Sequence, residues 1–308
     1  MKKDFTVPAN LPLPARNIVS ILQSMLRLSR HEVLKLVHGG QVVVNGRVQL
    51  HSHGHLGIGD HVEVEFIRSP SIATPKAKKG KSESIEILYE DDDLMVVNKP
   101  SNLLTVPTPY RERHTLQSYL TKRIQREQRT GQAYCVHRLD RGVSGVLVFG
   151  KTLQAALALK NQFAARKPAR RYIAIVHGSV EVDQGEIRSY LATDDQLNRY
   201  SVQDPTQGEL AITHFRKTLE LAHATMVQVR LETGRRNQIR VHMADLGHPI
   251  LGDPRYGRDR VHPAWNRDRL ALHAESLGFS HPVSGEKLEF KTDWPEEFRA
   301  FKRRASRS

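Results

Sequence analysis

The sequence predicts an α+β protein of two domains joined by a linker, and three observations carry that reading. Apolar residues recur at helical spacing in some stretches; in others they alternate singly or form short blocks, as strands do. The 308 residues, 39% of them hydrophobic, suffice for about two domains of ordinary size. Residues 69–84, SPSIATPKAKKGKSES, are rich in Pro, Ser, Gly and Lys and too poor in apolar side chains to be ordered by packing. The expected organisation is a small domain at 16–68, a basic linker at 69–84, a large domain at 85–300 and a basic tail, FKRRASRS, at 301–308.

In the small domain, Ile18, Leu22, Met25 and Leu26 lie on one helical face. Ser29-Arg30-His31-Glu32 opens a second helix, Ser29 as N-cap and Glu32 closing a capping box. Val33, Leu34, Leu36 and Val37 form its apolar side, and Gly39-Gly40 ends it. Val42-Val43-Val44, Asn45-Gly46 and Arg47-Val48 read as a hairpin, since Asn-Gly suits a type I′ turn. After Gly59-Asp60 a last strand runs from His61 to Phe66, with Val62, Val64 and Phe66 on one face. His51, His53 and His55 alternate, yet no carboxylate or cysteine stands at ligand spacing and Gly54 and Gly57 argue for a loop. No metal site is expected there.

In the large domain, Ile85, Ile87 and Leu88, then Leu94-Met95-Val96-Val97, read as two strands. The acidic turn Glu90-Asp91-Asp92-Asp93 splits them and shows no metal partners. Tyr134-Cys135-Val136 and Val146-Leu147-Val148-Phe149 are short buried strands. Between them lies His137-Arg138-Leu139-Asp140-Arg141-Gly142-Val143-Ser144-Gly145, a polar loop on a rigid scaffold, where function is expected. Arg138 and Arg141 flank Asp140 and favour its carboxylate form. An ion-paired structural turn would look the same.

Thr152 caps a helix running to about Arg166, and Arg170 to Val176 form a strand with Tyr172, Ala174 and Val176 on one face. Val227, Val229 and Leu231 alternate in a further strand that Thr233-Gly234-Arg235 breaks. A helix follows from Asn237 to Leu246, with Ile239, Met243 and Leu246 apolar and Arg236 and Arg240 together on one face. Basic residues at a helix start oppose its dipole, which points to an anionic partner: substrate phosphate, or a carboxylate such as Asp140. A solvated basic face is the plain alternative.

Composition bounds the partner. Lys and Arg number 47 against 33 Asp and Glu, a net charge of +14. That balance favours a polyanion, nucleic acid foremost and an anionic membrane surface second. No apolar run of about 18 residues exists to span a membrane. The first residues, MKKDFTVPANLPLPAR, lack the apolar region of a secretory signal. The single cysteine, Cys135, excludes an internal disulfide and a multi-cysteine metal site. A cytoplasmic protein is expected.

Two resemblances sharpen this reading. Ser29-Arg30, Lys35, Gly40-Gln41-Val42, Val44-Asn45-Gly46 and Gly59-Asp60 resemble the S4 RNA-binding domain, a small α/β module in which a helix pair packs beside a hairpin. That resemblance implies that Arg30 and Lys35 face the RNA backbone; ordinary exposed helix charges are the alternative. In the large domain, Asn98-Lys99-Pro100; His137 to Arg141 with Ser144-Gly145; Arg171-Tyr172-Ile173-Ala174; Thr233-Gly234-Arg235 with Gln238-Ile239-Arg240-Val241-His242; and Gly247-His248-Pro249 through Gly252-Asp253 to Tyr256-Gly257 stand in one order. Leu272-His273-Ala274 and Phe279-Ser280-His281-Pro282 extend the match. Together they resemble the pseudouridine synthases of the large-subunit ribosomal RNA type over residues 85–298.

The synthase resemblance implies a central, mostly antiparallel sheet with flanking helices and an RNA cleft. It implies isomerisation of uridine to pseudouridine in structured RNA, ribosomal RNA ahead of transfer RNA, a reaction that needs no cofactor; a monomer is the default expectation. Asp140 would be the nucleophile or base on a flipped uridine, Tyr172 would stack on the base and help remove the C5 proton, and Arg240 would pair with Asp140. Arg138 would fill the space that the uridine leaves. His137, Arg141 and Gln238 would line the substrate site, and Ile239 and Val241 would wall the pocket. Val143 and Asn237 depart from the family's usual threonine and histidine, and Asn237 belongs to the expected substrate site. A non-catalytic RNA-binding or ribosome-assembly protein of the same fold is the rival reading, which an intact Asp140, Tyr172 and Arg240 oppose. A hydrolase with an aspartate nucleophile would need a water-activating partner or a metal cluster, and the sequence offers neither.

Overall fold

The structure, a computed structural model, describes residues 2–8, 17–26, 28, 32–33, 36–37, 39–49, 55–66, 85–108, 112–257, 260–265 and 269–305. The chain divides into two compact units, Met1–Glu83 and Ser84–Ser308. Arg30 and Lys35, His51 and His53, and the 69–84 segment lie outside the described residues.

The first unit is a four-stranded antiparallel sheet in the order β1 (Lys2–Thr6), β4 (His61–Glu65), β2 (Val42–Val44), β3 (Arg47–Val48). Helix α1 (Ile18–Leu26) buries Ile18, Val19, Ile21 and Leu22, and Val33, Leu36 and Val37 of a second helical stretch join the same core. The hairpin turns at Asn45 and Gly46, both at positive φ, as a type I′ turn requires. Strand β1 is not expected from the sequence; it pairs Lys2 to Glu65 through Thr6 to His61, so this unit begins well before residue 16. Its five residues carry one large apolar side chain, Phe5, and only the partner strand reveals them.

The second unit is an eleven-stranded sheet. Its main path runs β11 (Arg199–Val202), β10 (Gln184–Thr193), β12 (Glu209–Leu221), β13 (Ala224–Leu231), β9 (Ala169–His177), β14 (Leu272–Ser280), β8 (Ser144–Gly150), β6 (Leu94–Lys99), β5 (Glu86–Glu90). Strand β15 (Lys287–Lys291) pairs with β14, and β7 (Tyr134–Cys135) with β8. Every pairing between these strands is antiparallel except β8 with β14. Helices α2 (Leu116–Ile124), α3 (Leu153–Ala164), α4 (Gln238–Asp245) and α5 (Glu296–Ala305) complete the unit. Among the described residues no helix is long and apolar enough to cross a membrane.

The expected basic tail is corrected in its first half. Residues 301–305 belong to α5, whose Phe298 and Phe301 are buried edge-on against Trp265. Two phenylalanines three apart anchor the helix, so its lysines and arginines decorate an exposed side.

Two histidines are buried as structural posts. His242 on α4 bonds Thr213 Oγ1 at 2.8 Å and Ser189 Oγ at 3.0 Å. His273 on β14 bonds Ser144 Oγ at 2.8 Å and Thr292 Oγ1 at 3.0 Å. Burial pushes each down to about 4. The unfolded value lies near 6.5, so between the two the unfolded chain binds more protons. Their contribution to stability is present above about pH 6.5 and is lost as pH falls toward 4. Urea midpoints measured at pH 7, 5.5 and 4 should fall in that window, by on the order of 1.4 kcal/mol for each pKa unit separating the states. A flat profile would mean that these imidazoles remain protonated inside the fold.

Candidate active site

The loop between β7 and β8 is fixed from several sides. Thr105 Oγ1 donates to the Leu139 carbonyl at 2.8 Å and accepts from the Leu139 amide at 3.2 Å. The Cys135 thiol donates to the His137 carbonyl at 3.2 Å, and the Val143 amide closes a turn on the Asp140 carbonyl at 3.1 Å. Lys99, fully buried at the end of β6, donates to the carbonyls of Pro100 and Leu103 at 2.9 and 2.7 Å and of Arg141 at 3.3 Å. Burial pushes this ammonium down to about 7, with the charge of Asp140 opposing. Lys99 thus ties the loop to the preceding strand, a role its place in Asn98-Lys99-Pro100 does not reveal.

Asp140 is half-buried, and its ion partner among the described residues is Arg240, with Nη1 at 2.9 Å from Oδ2. The flanking arginines take no part: Arg138 is exposed and Arg141 directs Nε to the Asn102 carbonyl at 3.3 Å. Arg240 itself is clamped by Asp253, with Nε to Oδ2 at 2.7 Å and Nη2 to Oδ1 at 2.8 Å. Asp253 is 3% exposed, and its Oδ1 also accepts the amides of Arg255 and Tyr256. The Arg240 guanidinium lies 5.2 Å over the Tyr256 ring. Burial alone would lower its pKa, but the hydrogen bond and charge of Asp253, joined by Asp140, outweigh burial and raise it. A bidentate arginine fixed on one carboxylate is a rigid arm for holding a second.

The anionic partner expected for the basic start of α4 is therefore the pair Asp140 and Asp253. Arg236 does not share that role. It is exposed, precedes the helix and donates to the Leu197 carbonyl at 2.8 Å, whereas Arg240 is buried, so the two do not form one face. Asp253 could not be assigned from sequence, because it lies thirteen positions from Arg240, past the end of the helix. Asp253→Asn should keep the fold, cost about 1.5–3 kcal/mol of the charge-assisted clamp and let Arg240 swing. A drop in kcat with KM nearly unchanged would show it, and an unchanged kcat would remove Asp253 from the site.

Asn237 sits at φ 58, a left-handed position that asparagine tolerates, just ahead of α4. Its Oδ1 accepts from Arg240 at 3.3 Å and its Nδ2 donates to the Tyr256 hydroxyl at 3.3 Å. A cavity of about 70 Å³ opens beside Asp140, lined by Arg138, Val143, Tyr172, Ile239, Leu272 and Arg240 among others. Gln238 reaches it but spends its amide on the Ile212 carbonyl and the hydroxyls of Thr213 and Thr233. Val241 points elsewhere, packed with Leu191 and Ala211, and does not wall this cavity: on a helix it faces away from Ile239. His137 stacks on Phe163 at 4.5 Å and accepts from the Val148 amide at 3.3 Å. Burial, then Arg170, pushes its pKa down to about 3, so it is a neutral support.

Tyr172 stands on β9 opposite Ala274, which on its other side pairs with Gly145. Burial pushes its phenol up, Arg170 opposing and the charge of Asp140 adding, so the ring is neutral at pH 7. A second cavity of about 380 Å³ adjoins the first and shares Arg138, Tyr172, Leu231 and Arg235 with it. A larger one, about 480 Å³ and lined by Arg171, His214 and Arg230, opens on the opposite face of the same strands. Elsewhere, the acidic turn has a partner that the sequence does not show. His281 Nε2 lies 2.9 Å from Asp91 Oδ2, with Asp93 beside them. Asp91 also accepts the Tyr89 hydroxyl and the amides of Asp93 and Leu94, as a turn-forming aspartate does.

Comparison with known proteins gives four findings. The family model described as RNA pseudouridylate synthase matches residues 93–245. An uncharacterized RNA pseudouridine synthase of Bacillus subtilis is 36% identical over 277 residues, covering 87% of this chain and 87% of that protein. Ribosomal large subunit pseudouridine synthase D of Zymomonas mobilis is 33% identical over 285 residues, 88% of this chain and 87% of its own. Among solved structures, human RNA pseudouridylate synthase domain containing 4 shares the fold, with TM-score 0.61 at 22% identity over 72% of this chain and 93% of that one.

Proposed function

The chain belongs to the RNA pseudouridylate synthase family and is an RNA pseudouridine synthase, an isomerase; from that premise we propose that its substrate is large-subunit ribosomal RNA and that Asp140 performs the chemistry. One observation supports the assignment of Asp140 above all: its carboxylate faces a cavity while a doubly anchored arginine holds it at 2.9 Å. The reaction cleaves the N1 bond of uracil to ribose, turns the base, forms the C5 bond and releases the C5 proton. An ionised Asp140 serves it by attacking C1′, by attacking C6, or by taking a proton from C2′. Arg240 keeps the carboxylate aimed. Tyr172, a neutral phenol, lies against the base; to take the C5 proton as phenolate it would first have to ionise, which its burial opposes.

The target uridine must leave its stack to reach this depth, at a cost of a few kcal/mol. We assign Arg138, exposed at the rim of both adjoining cavities, to the space the base vacates. Ile239 and Asn237 line the pocket beside it. We take the working enzyme as a monomer acting in the cytoplasm, where its RNA is found.

We further propose that the first unit is an S4-type RNA-binding domain whose Arg30 and Lys35 contact the backbone. Deleting residues 1–68 should weaken RNA binding and flatten its salt dependence, by about 0.7–0.9 in log–log slope for each phosphate that the domain neutralises. Equal affinity and slope in filter binding would end that assignment.

Pseudouridine mapping across total RNA tests the whole reading. Wild type, a deletion strain, and that strain restored with Asp140→Asn should differ at one or a few ribosomal positions, unrestored by the variant. Loss at transfer RNA positions would redirect the substrate, and an unchanged map would refute the assignment.

A further inference from the structure

Three described arginines are buried with an Nε that has no hydrogen-bond partner: Arg170, Arg199 and Arg269. Two of them have a carboxylate: Arg199 Nη2 meets Glu209 at 2.7 Å and Arg269 Nη1 meets Glu297 at 2.9 Å. Arg170, 7% exposed, has none among the described residues; its Nη2 donates to the Glu232 carbonyl at 3.3 Å. The Glu232 carboxylate is directed to Arg166 and His214 instead. A buried cation without a counterion is costly, and folds rarely keep one without a purpose.

Arg170 lines the 380 Å³ cavity next to the Asp140 pocket. It is held in place: its guanidinium lies 5.6 Å over Phe163, whose ring stacks on His137. Any side chain at Gly234 would run into its Nη1 atom, so the absence of one there leaves the guanidinium its place. Arg138, Arg166 and Arg235 stand around the same space, and the described lining contains no carboxylate residue.

We infer that this cavity is a phosphate-binding site, with Arg170 its buried anchor, and that it takes a backbone phosphate of the RNA strand beside the reacting uridine. Rigid, planar donors in a partly desolvated space suit a phosphate better than they suit water. The position follows from the wall that the two cavities share, Arg138, Tyr172, Leu231 and Arg235: a strand placing its base beside Asp140 has a phosphate within reach of the neighbouring space. The inference rests on the assignment of the Asp140 pocket to uridine, so its test uses binding and not turnover.

The probes are penta-uridylate, inorganic phosphate and uridine nucleoside, titrated into the full chain. In wild type the Arg170 Nε–H resonance should move with penta-uridylate and with phosphate and stay still with the nucleoside. Movement with phosphate but not with penta-uridylate would mark an adventitious anion pocket and overturn the RNA assignment; no movement with either would overturn the site. Arg170→Met should bind penta-uridylate about tenfold or more weakly, with a salt slope shallower by about 0.7, and Arg170→Lys should recover part of both. Slopes equal to wild type in both variants would overturn the inference. Failure of the catalytic reading would appear separately, as pseudouridine still formed by Asp140→Asn.

Discussion

Asp140→Asn should abolish pseudouridine formation, lowering kcat on the order of 10⁴-fold or more, while RNA affinity stays close to wild type. The amide has the shape of the carboxylate and retains an oxygen for Arg240 Nη1, now 2.9 Å away. It is neither a nucleophile toward C1′ or C6 nor a base toward C2′, so each route open to the aspartate closes at once. Binding survives because the groups expected to hold the RNA strand, Arg138 and the 380 Å³ cavity, are untouched. Single-turnover assays with excess enzyme, beside filter binding at fixed salt, separate the two effects. Turnover within about tenfold of wild type would mean that Asp140 is an ion-paired structural residue. Loss of binding equal to the loss of rate would mean that the variant has disturbed the loop rather than the chemistry.

Gly145→Ala should be the most damaging small substitution in the second unit. Gly145 has φ +119, which an L side chain rarely adopts. A Cβ there would run into the Ala274 carbonyl oxygen and lie 2.7 Å from the Ala274 carbonyl carbon and nitrogen. These are backbone atoms in the row where β8 and β14 pair in parallel, so neither side can yield without breaking the pairing. Ala274 also pairs with Tyr172, which places the damage between the Asp140 loop and Tyr172. A loss of more than about 4 kcal/mol is expected, the size seen when overpacking meets a forbidden backbone conformation. For a unit of this length that corresponds to a fall in Tm of more than about 8 °C. Calorimetry of the full chain would measure it, and a shift under about 2 °C would show that the strand pair can part locally. Gly46, also at positive φ but with nothing within 4 Å of its would-be Cβ, is the control, where strain acts without collision.

The elements legible in the sequence are those whose apolar spacing is complete within one segment. The strands at Leu94–Lys99, Ser144–Gly150 and Ala169–His177 are near-continuous apolar runs because both faces are covered. Thr152 caps its helix as expected, donor and acceptor being local. The long strands Gln184–Thr193 and Glu209–Leu221 are not legible because one face carries Glu186, Arg188 and Arg216 in the open and His214 half-buried, which blurs any hydrophobic run. Lys2–Thr6 and α5 are hidden for a related reason: a single phenylalanine, or two, does the anchoring among lysines, arginines and glutamates.

The site divides in the same way. Sequence alone located the loop bearing Asp140 and, through the order of its motifs, the family to which it belongs; that same resemblance pointed to Tyr172 and Arg240, because each stands in a contiguous motif. Only the tertiary structure decided what surrounds them. The Arg240–Asp140 pair is already implied by the resemblance; the structure gave Arg240 its anchor in Asp253, took Arg138 and Arg141 away from Asp140, placed Lys99 under the loop and moved Val241 to the far side of its helix. It also left Arg170 buried without a counterion among the described residues. Charge pairing acts through space over a few ångströms, and the residues that meet here are separated by 13, 42 and 100 positions in the chain. No spacing rule in a single sequence encodes meetings at such separations; the register of the sheet does.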